Sequence, residues 1–152
     1  MMTAVTLRRL TPTDASDIAR VHRASFDDRL PWLSGIHTPD EDLAYFRDTV
    51  CATCAVWGGF EGHRLIGFIA FRDGWIDHLF VAPERQGVGL GTSLLDQAKA
   101  AQKRLRLWTF QRNDGARNFY ESHGFVQIDI TDGSGNEERE PDVLYEWFEQ
   151  LA

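Results

Sequence analysis

At Pro83 the hydrophobic period of this chain switches from that of strands to that of a helix. Upstream, Ala52 to Gly59, Arg64 to Phe71 and Trp75 to Val81 read as strands. The turns Glu61-Gly62-His63 and Arg72-Asp73-Gly74 join them into an antiparallel meander. Downstream, Leu90, Leu94, Leu95 and Ala98 share one face of a helix over Gly89 to Lys103. The junction between the two periods is glycine-rich: Gln86-Gly87-Val88-Gly89-Leu90-Gly91. A chain of this kind must leave a hairpin-connected sheet through a flexible turn and enter a helix at once.

The remaining elements follow the same rules. Val5 to Leu10 alternates like a first strand. Thr13 or Asp14 can cap a helix running to Phe26, with Ala15, Ile18, Ala19, His22 and Phe26 inward, and Asp27 to Ile36 reads as a loop. Thr38 and Glu41 fit a capping box around Pro39, opening a second helix to Val50 with Leu43, Phe46 and Val50 inward. Arg104 to Phe110 is a strand, Asn113 to Ser122 a short helix stopped at His123-Gly124, and Phe125 to Ile130 and Val143 to Phe148 are two last strands. Thr131 to Pro141 is a polar loop. The predicted order is β-α-α-β-β-β-α-β-α-β-β, a mixed α/β (α+β) layer rather than an alternating barrel. No repeat or linker divides the chain, so residues 1–152 read as a single domain.

Composition narrows the function classes. The net charge is −7, and no Lys/Arg cluster suggests a nucleic-acid face. No apolar run suits a membrane helix, and the N-terminal stretch lacks the apolar core of a signal peptide, so a cytoplasmic protein is expected. Cys51 and Cys54 form a lone C-x-x-C that cannot close a zinc site alone, so no metal is expected and both read as reduced thiols.

The glycine run suits an anion. A helix start offers unpaired N–H groups and a partial positive charge, and glycines let a diphosphate approach them. The N–H groups of Val88 through Thr92 can form such a nest, with hydroxyls on Thr92 and Ser93 and a cation on Arg85. The run lacks the Gly-Lys-Ser/Thr ending of a P-loop, and Thr92 stands where a dinucleotide fingerprint needs its third glycine. Taken alone, it is equally a glycine-rich turn without a ligand.

Two segments together resemble the GNAT (acyl-CoA N-acyltransferase) superfamily. Val81-Ala82-Pro83-Glu84-Arg85-Gln86-Gly87-Val88-Gly89-Leu90-Gly91 is similar to its acetyl-CoA motif, with Gln86, Gly89 and Gly91 at the motif positions. Asn113-Asp114-Gly115-Ala116-Arg117-Asn118-Phe119-Tyr120-Glu121-Ser122-His123-Gly124-Phe125 is similar to its second motif. The resemblance implies a central, mostly antiparallel mixed sheet of about seven strands whose middle strands, Trp75–Val81 and Arg104–Phe110, splay apart. It implies acetyl-CoA (coenzyme A) as co-substrate, with pantetheine entering between those strands like an added strand. Leu79, Phe80 and Val81 would pair with the pantetheine amides from one side and Asn113 from the other, and Ala116 and Phe119 would flank the thiol arm. Gln86, Gly87, Val88, Gly89, Leu90, Gly91, Thr92, Ser93 and Arg85 would hold the diphosphate.

The implied reaction is N-acetyltransferase chemistry: direct acyl transfer to a primary amine of a small molecule or peptide. Tyr120 would be the general acid near the sulfur. Asp77 and His78, on opposite faces of their strand, are the candidate bases. The amine would lie among Trp32, His37, Glu41 and Tyr45 on one side and Glu137, Glu138 and Asp142 on the other, with Asp77 within reach. A homodimer is compatible with the family. The competing reading from a different class is a coenzyme A-binding sensor or partner domain without catalysis.

Overall fold

The meander between residues 52 and 81 is the middle of a seven-stranded sheet in the computed structural model, which describes residues 4–150. Met1 to Thr3, part of the N-terminal stretch read above, lie outside those residues. The meander strands are β2 (Ala55–Glu61), β3 (Arg64–Arg72) and β4 (Trp75–Val81), with β1 (Val5–Arg9) antiparallel to β2 on the outer edge. The other half holds β5 (Arg104–Phe110), β6 (Val126–Thr131) and β7 (Asp142–Phe148). The order is β1-β2-β3-β4-β5-β7-β6, and only β4 and β5 run parallel. Their register holds a single pair, Trp75 with Arg106. Beyond it the two strands diverge, as the resemblance implied.

Helices cover the two faces. On one face α4 (Leu90–Ala101) and α5 (Asp114–Ser122) pack Leu94, Leu95, Ala98 and Tyr120 against Ile69, Leu105, Leu107 and Tyr145. On the other, α1 (Ala15–Arg29) packs Ile18 and Val21 on Val56, Leu65 and Phe68. α1 is longer than predicted: it absorbs Asp27 to Arg29, and its last turn closes with the Leu30 N–H on the Phe26 carbonyl at 2.8 Å. Its buried stripe is Ala15, Ile18, Val21 and Ser25, so Ala19, His22 and Phe26 lie at the border of that stripe rather than along its centre.

The second predicted helix is three pieces. α2 (Pro39–Tyr45) begins at the expected capping box, Phe46–Val50 widens into a π-turn, and α3 (Cys51–Thr53) is one short turn. The wide turn carries both Phe46 and Val50 inward. Cys54 N–H then bonds the Val50 carbonyl at 2.9 Å, so β2 starts at Ala55 and not at Ala52. A short apolar run does not by itself distinguish a helix end from a strand start.

Two half-buried histidines, His22 of α1 and His78 of β4, meet where the helix crosses the sheet. His22 contacts Phe80, Phe46 and His78, with ring centroids 4.7, 5.0 and 5.8 Å away. Its Nδ1 is buried without a hydrogen-bond partner. Burial lowers His78 to about 4, and burial together with the nearby His78 lowers His22 to about 3. Both folded values lie below the ordinary 6.5, so the unfolded chain takes up these protons first. Stability is therefore complete above about pH 6.5 and falls as pH drops toward those values. His22→Phe should remove one such proton and one orphan nitrogen. Thermal melts should show little change or a small gain at pH 7.5, and a gain on the order of 2 kcal/mol at pH 5. An equal effect at both pH values would show that titration of His22 is not involved.

Candidate active site

The divergence of β4 and β5 opens a cavity of about 360 Å³. Its walls come from the end of β4, the glycine run, α5 and the last turns of α1. Of the residues read from sequence as donor contacts, Leu79, Phe80, Val81, Arg85, Gln86, Gly87, Gly89, Gly91, Thr92, Asn113, Ala116, Phe119 and Tyr120 all line it. Segments separated by more than thirty positions thus meet at one place.

The backbone of β4 explains what the cavity offers. Ala82 N–H bonds the Ile66 carbonyl at 2.8 Å, and the Phe80 carbonyl lies 3.1 Å from where a Gly67 Cβ would stand. Phe80, paired with Phe68, therefore spends its backbone on β3, contrary to its expected role as a pantetheine partner. Strand alternation turns the polar groups of Leu79 and Val81 the other way, toward the gap. The Val81 carbonyl is already used: the Ser25 hydroxyl and Gln86 Nε2, at 3.0 Å, both donate to it. Among the described residues β5 pairs with β4 at Trp75 alone, so the amides of Leu79 and Val81 and the Leu79 carbonyl face the gap without a strand partner.

Gly87 and Gly89 hold φ of +83° and +88°, a left-handed conformation in which a side chain is strained. They bring the chain round so that α4 starts at Leu90, with Gly91 and Thr92 of its first turn lining the cavity. Several expected helpers are otherwise engaged. Val88 is among the most exposed apolar residues, and the Leu90 side chain is buried in the core. The Ser93 hydroxyl bonds the Gly89 carbonyl at 3.3 Å, within its own helix. His123 Nδ1 faces the Phe119 carbonyl at 2.7 Å, so in the neutral ring Nδ1 carries the proton and Nε2 accepts from Thr92 Oγ1 at 2.9 Å. Arg85 is clamped by Glu61 in a two-point pair at 2.7 and 2.8 Å, so its charge is met from within the protein.

Tyr120 is almost fully buried, and burial raises its hydroxyl above the ordinary tyrosine range. Asn113 caps α5, accepting from the Ala116 N–H at 3.2 Å. Five cavity residues were given no donor role in the sequence reading: Ser25, Phe26, Arg29, Leu30 and Gly115. The helical spacing from Ile18 through His22 and Phe26 extends naturally to Arg29, but Asp27-Asp28 reads as a loop start.

The base candidates lie elsewhere. The β3–β4 register skips a residue between His78 and Ile76, so Asp77 is a bulge. Asp77 and His78 are consequently not on opposite faces: Tyr45 Oη lies 3.0 Å from His78 Nε2, and the charge of Asp77 raises the same tyrosine, whose burial is the larger cause. Asp77 takes Arg72 Nε at 2.7 Å and the Cys54 thiol at 3.4 Å. Neither Asp77 nor His78 lines the cavity.

Of the residues expected on the acceptor side, Trp32 and His37 reach the β6–β7 loop, outside that cavity. His37 Nε2 pairs with Glu137 at 3.0 Å, which raises the imidazole pKa. Trp32 Nε1 donates to Glu140 at 3.2 Å, while the Arg112 guanidinium lies 5.1 Å over the Trp32 ring. Asp142 is engaged with Thr131 and Asn136. The segment after α1 is thus latched to the β6–β7 loop by two carboxylates, of which sequence reading named only Glu137.

Residues 51–127 match the acetyltransferase (GNAT) domain family. The chain belongs to that family. Peptidyl-lysine N-acetyltransferase YiaC of Escherichia coli is 32% identical over 84 residues, 55% of this chain and 58% of that protein. The chain thus spans little more than half of that curated relative. Solved GNAT-type structures match more widely in fold. The coenzyme A complex of the PaiA N-acetyltransferase from Thermoplasma acidophilum superposes with a TM-score of 0.73 at 22% identity, covering 95% of this chain and 99% of that one. Apo YjaB from Escherichia coli gives 0.75 at 20% identity, covering 97% and 99%. Within the GNAT frame the glycine run and the β4–β5 gap sit in one continuous cavity.

Gly89→Ala should cost about 1 kcal/mol of stability from left-handed strain. It should also weaken coenzyme A binding by about tenfold, because the N–H groups at the start of α4 turn away. Isothermal titration and thermal melts measure the two effects separately.

Proposed function

We propose that the protein transfers an acetyl group from acetyl-CoA to a primary amine, with pantetheine lying along the free edge of β4. The observation that carries this reading is the unpaired edge at Leu79 and Val81, which opens into a cavity bounded by the glycine run and by Tyr120. A thioester-bearing arm can add itself to β4 as a strand, and a diphosphate can end at the start of α4.

In the step, the amine nitrogen attacks the thioester carbonyl, the C–N bond forms and the C–S bond breaks. The amine proton goes to a base or water, and the electron pair of the C–S bond leaves on sulfur. Tyr120 is the donor to that sulfur. Its raised pKa keeps the hydroxyl protonated at any working pH, so it acts as a hydrogen-bond donor to the growing thiolate rather than as a strong acid. The Asp77 carboxylate is already occupied by Arg72 Nε and the Cys54 thiol. His78 is the better candidate. Its Nε2 lies 3.0 Å from Tyr45 Oη, so the pair can pass a proton away from the acceptor side, while burial holds the imidazole itself neutral.

The acceptor proposed is an amine of a peptide or small molecule entering between the Trp32–His37 segment and the β6–β7 loop. The similarity to a peptidyl-lysine acetyltransferase favours a peptide lysine as the first substrate to try. The exposed carboxylates of Glu41 and Glu137 suit a cationic acceptor.

Turnover of acetyl-CoA with a panel of amines, read by free-thiol release, tests the reading. Tyr120→Phe should lower kcat by about 10² while leaving the KM for acetyl-CoA within about threefold. Coenzyme A binding with no thiol release from any amine would favour the non-catalytic sensor instead.

A further inference from the structure

The cavity contains a guanidinium that no carboxylate meets. Arg29, in the last turn of α1, donates through Nη2 to Gln86 Oε1 and through Nη1 to Asn113 Oδ1 at 3.4 Å. These are neutral amide oxygens, and among the described residues Arg29 has no acidic partner within ion-pairing distance. The contrast with its neighbours is sharp: Arg85 is held by Glu61, Arg23 by Asp42 and Asp27, and Arg112 by Glu140.

Position adds to the case. Gln86 follows β4 and Asn113 follows β5, so the guanidinium spans the mouth of the gap between the diverging strands. It lies close against Gly115, where a Cβ would come within 1.9 Å of Nη1. It therefore sits beside the first turn of α5, within a cavity that also holds the first turn of α4. Two helix starts and an unpaired cation converge there, and positive potential of that kind is relieved by an anion. The hydroxyls of Thr92 and Ser93 and the charge of Arg85 are engaged elsewhere, so little else in the cavity can supply charge to one.

We propose that Arg29 is the cation that binds the donor's diphosphate, leaving Gln86 and Asn113 to do so and drawing the end of α1 over the bound donor. This rests on the acetyl-CoA reading above, and it assigns to α1 a donor role that the glycine run alone does not provide. Release of Gln86 and Asn113 also frees their amides for the pantetheine arm, so one movement opens the groove and fills it.

Isothermal titration of coenzyme A into the full chain, at low and high salt, tests this. Arg29→Met keeps the apolar stem and removes the charge. It should raise Kd about tenfold to hundredfold, and the wild type should lose more affinity with added salt than the variant does. Arg29→Lys should fall between the two, because it retains charge without the fork. If Arg29→Met bound coenzyme A as tightly as the wild type or more tightly, the guanidinium would be only a plug that the donor displaces, and the proposal would fail. A loss of affinity with an unchanged salt dependence would equally overturn it, pointing to packing. Should the wild type itself not bind coenzyme A, the functional reading falls first, and this one with it.

Discussion

Everything that distinguishes this molecule depends on two strands that part company. β4 and β5 meet at Trp75 and Arg106 and then diverge. A half-buried strand edge without partners is costly to the extent that its amides and carbonyls are shielded from water. The chain tolerates that edge by sharing it out. Phe80 faces β3, the Val81 carbonyl is taken by Ser25 and Gln86, and only the groups at Leu79 and the Val81 amide are left open to the cavity. The remaining deficit has the shape of a single extended ligand.

The same contacts fix the surroundings. Ser25 is buried in α1, and its bond to Val81 ties that helix to the end of β4. Arg29 lies one helical turn further on, and Trp32 and His37 follow it toward the β6–β7 loop. The cavity and the latch to the β6–β7 loop are therefore neighbours along one stretch of chain. The hydrophobic layers cover both faces of the sheet, with α4 and α5 on one side and α1 on the other.

Much of this was legible from residues alone. β4 and β5 run over Trp75–Val81 and Arg104–Phe110 as read, because alternating apolar residues between firm turn signals leave little choice. The glycine run and the Asn113 segment converge as the family resemblance implied. The losses have physical causes. The bulge at Asp77 breaks strict alternation, and nothing in a period-two pattern announces it. The π-turn at Phe46–Val50 shifts the start of β2. Arg85 looked like a free cation because its partner, Glu61, lies on another strand. Arg29 looked like part of a loop because Asp27-Asp28 breaks the apolar stripe, yet the helix runs through it. Side-chain hydroxyls at Thr92 and Ser93 were counted as ligands, but His123 and the Gly89 carbonyl claim them. Pairings across long sequence separations are what a linear reading misses.

Residue-resolved amide hydrogen exchange with and without coenzyme A tests the central claim, that the gap between β4 and β5 receives the pantetheine arm. Added coenzyme A should slow exchange at the amides of Leu79 and Val81 and at those opening α4, Leu90 to Thr92, and should leave the β1 edge unchanged. Unaltered exchange at Leu79 and Val81 under saturating coenzyme A, or protection confined to another part of the sheet, would contradict the account.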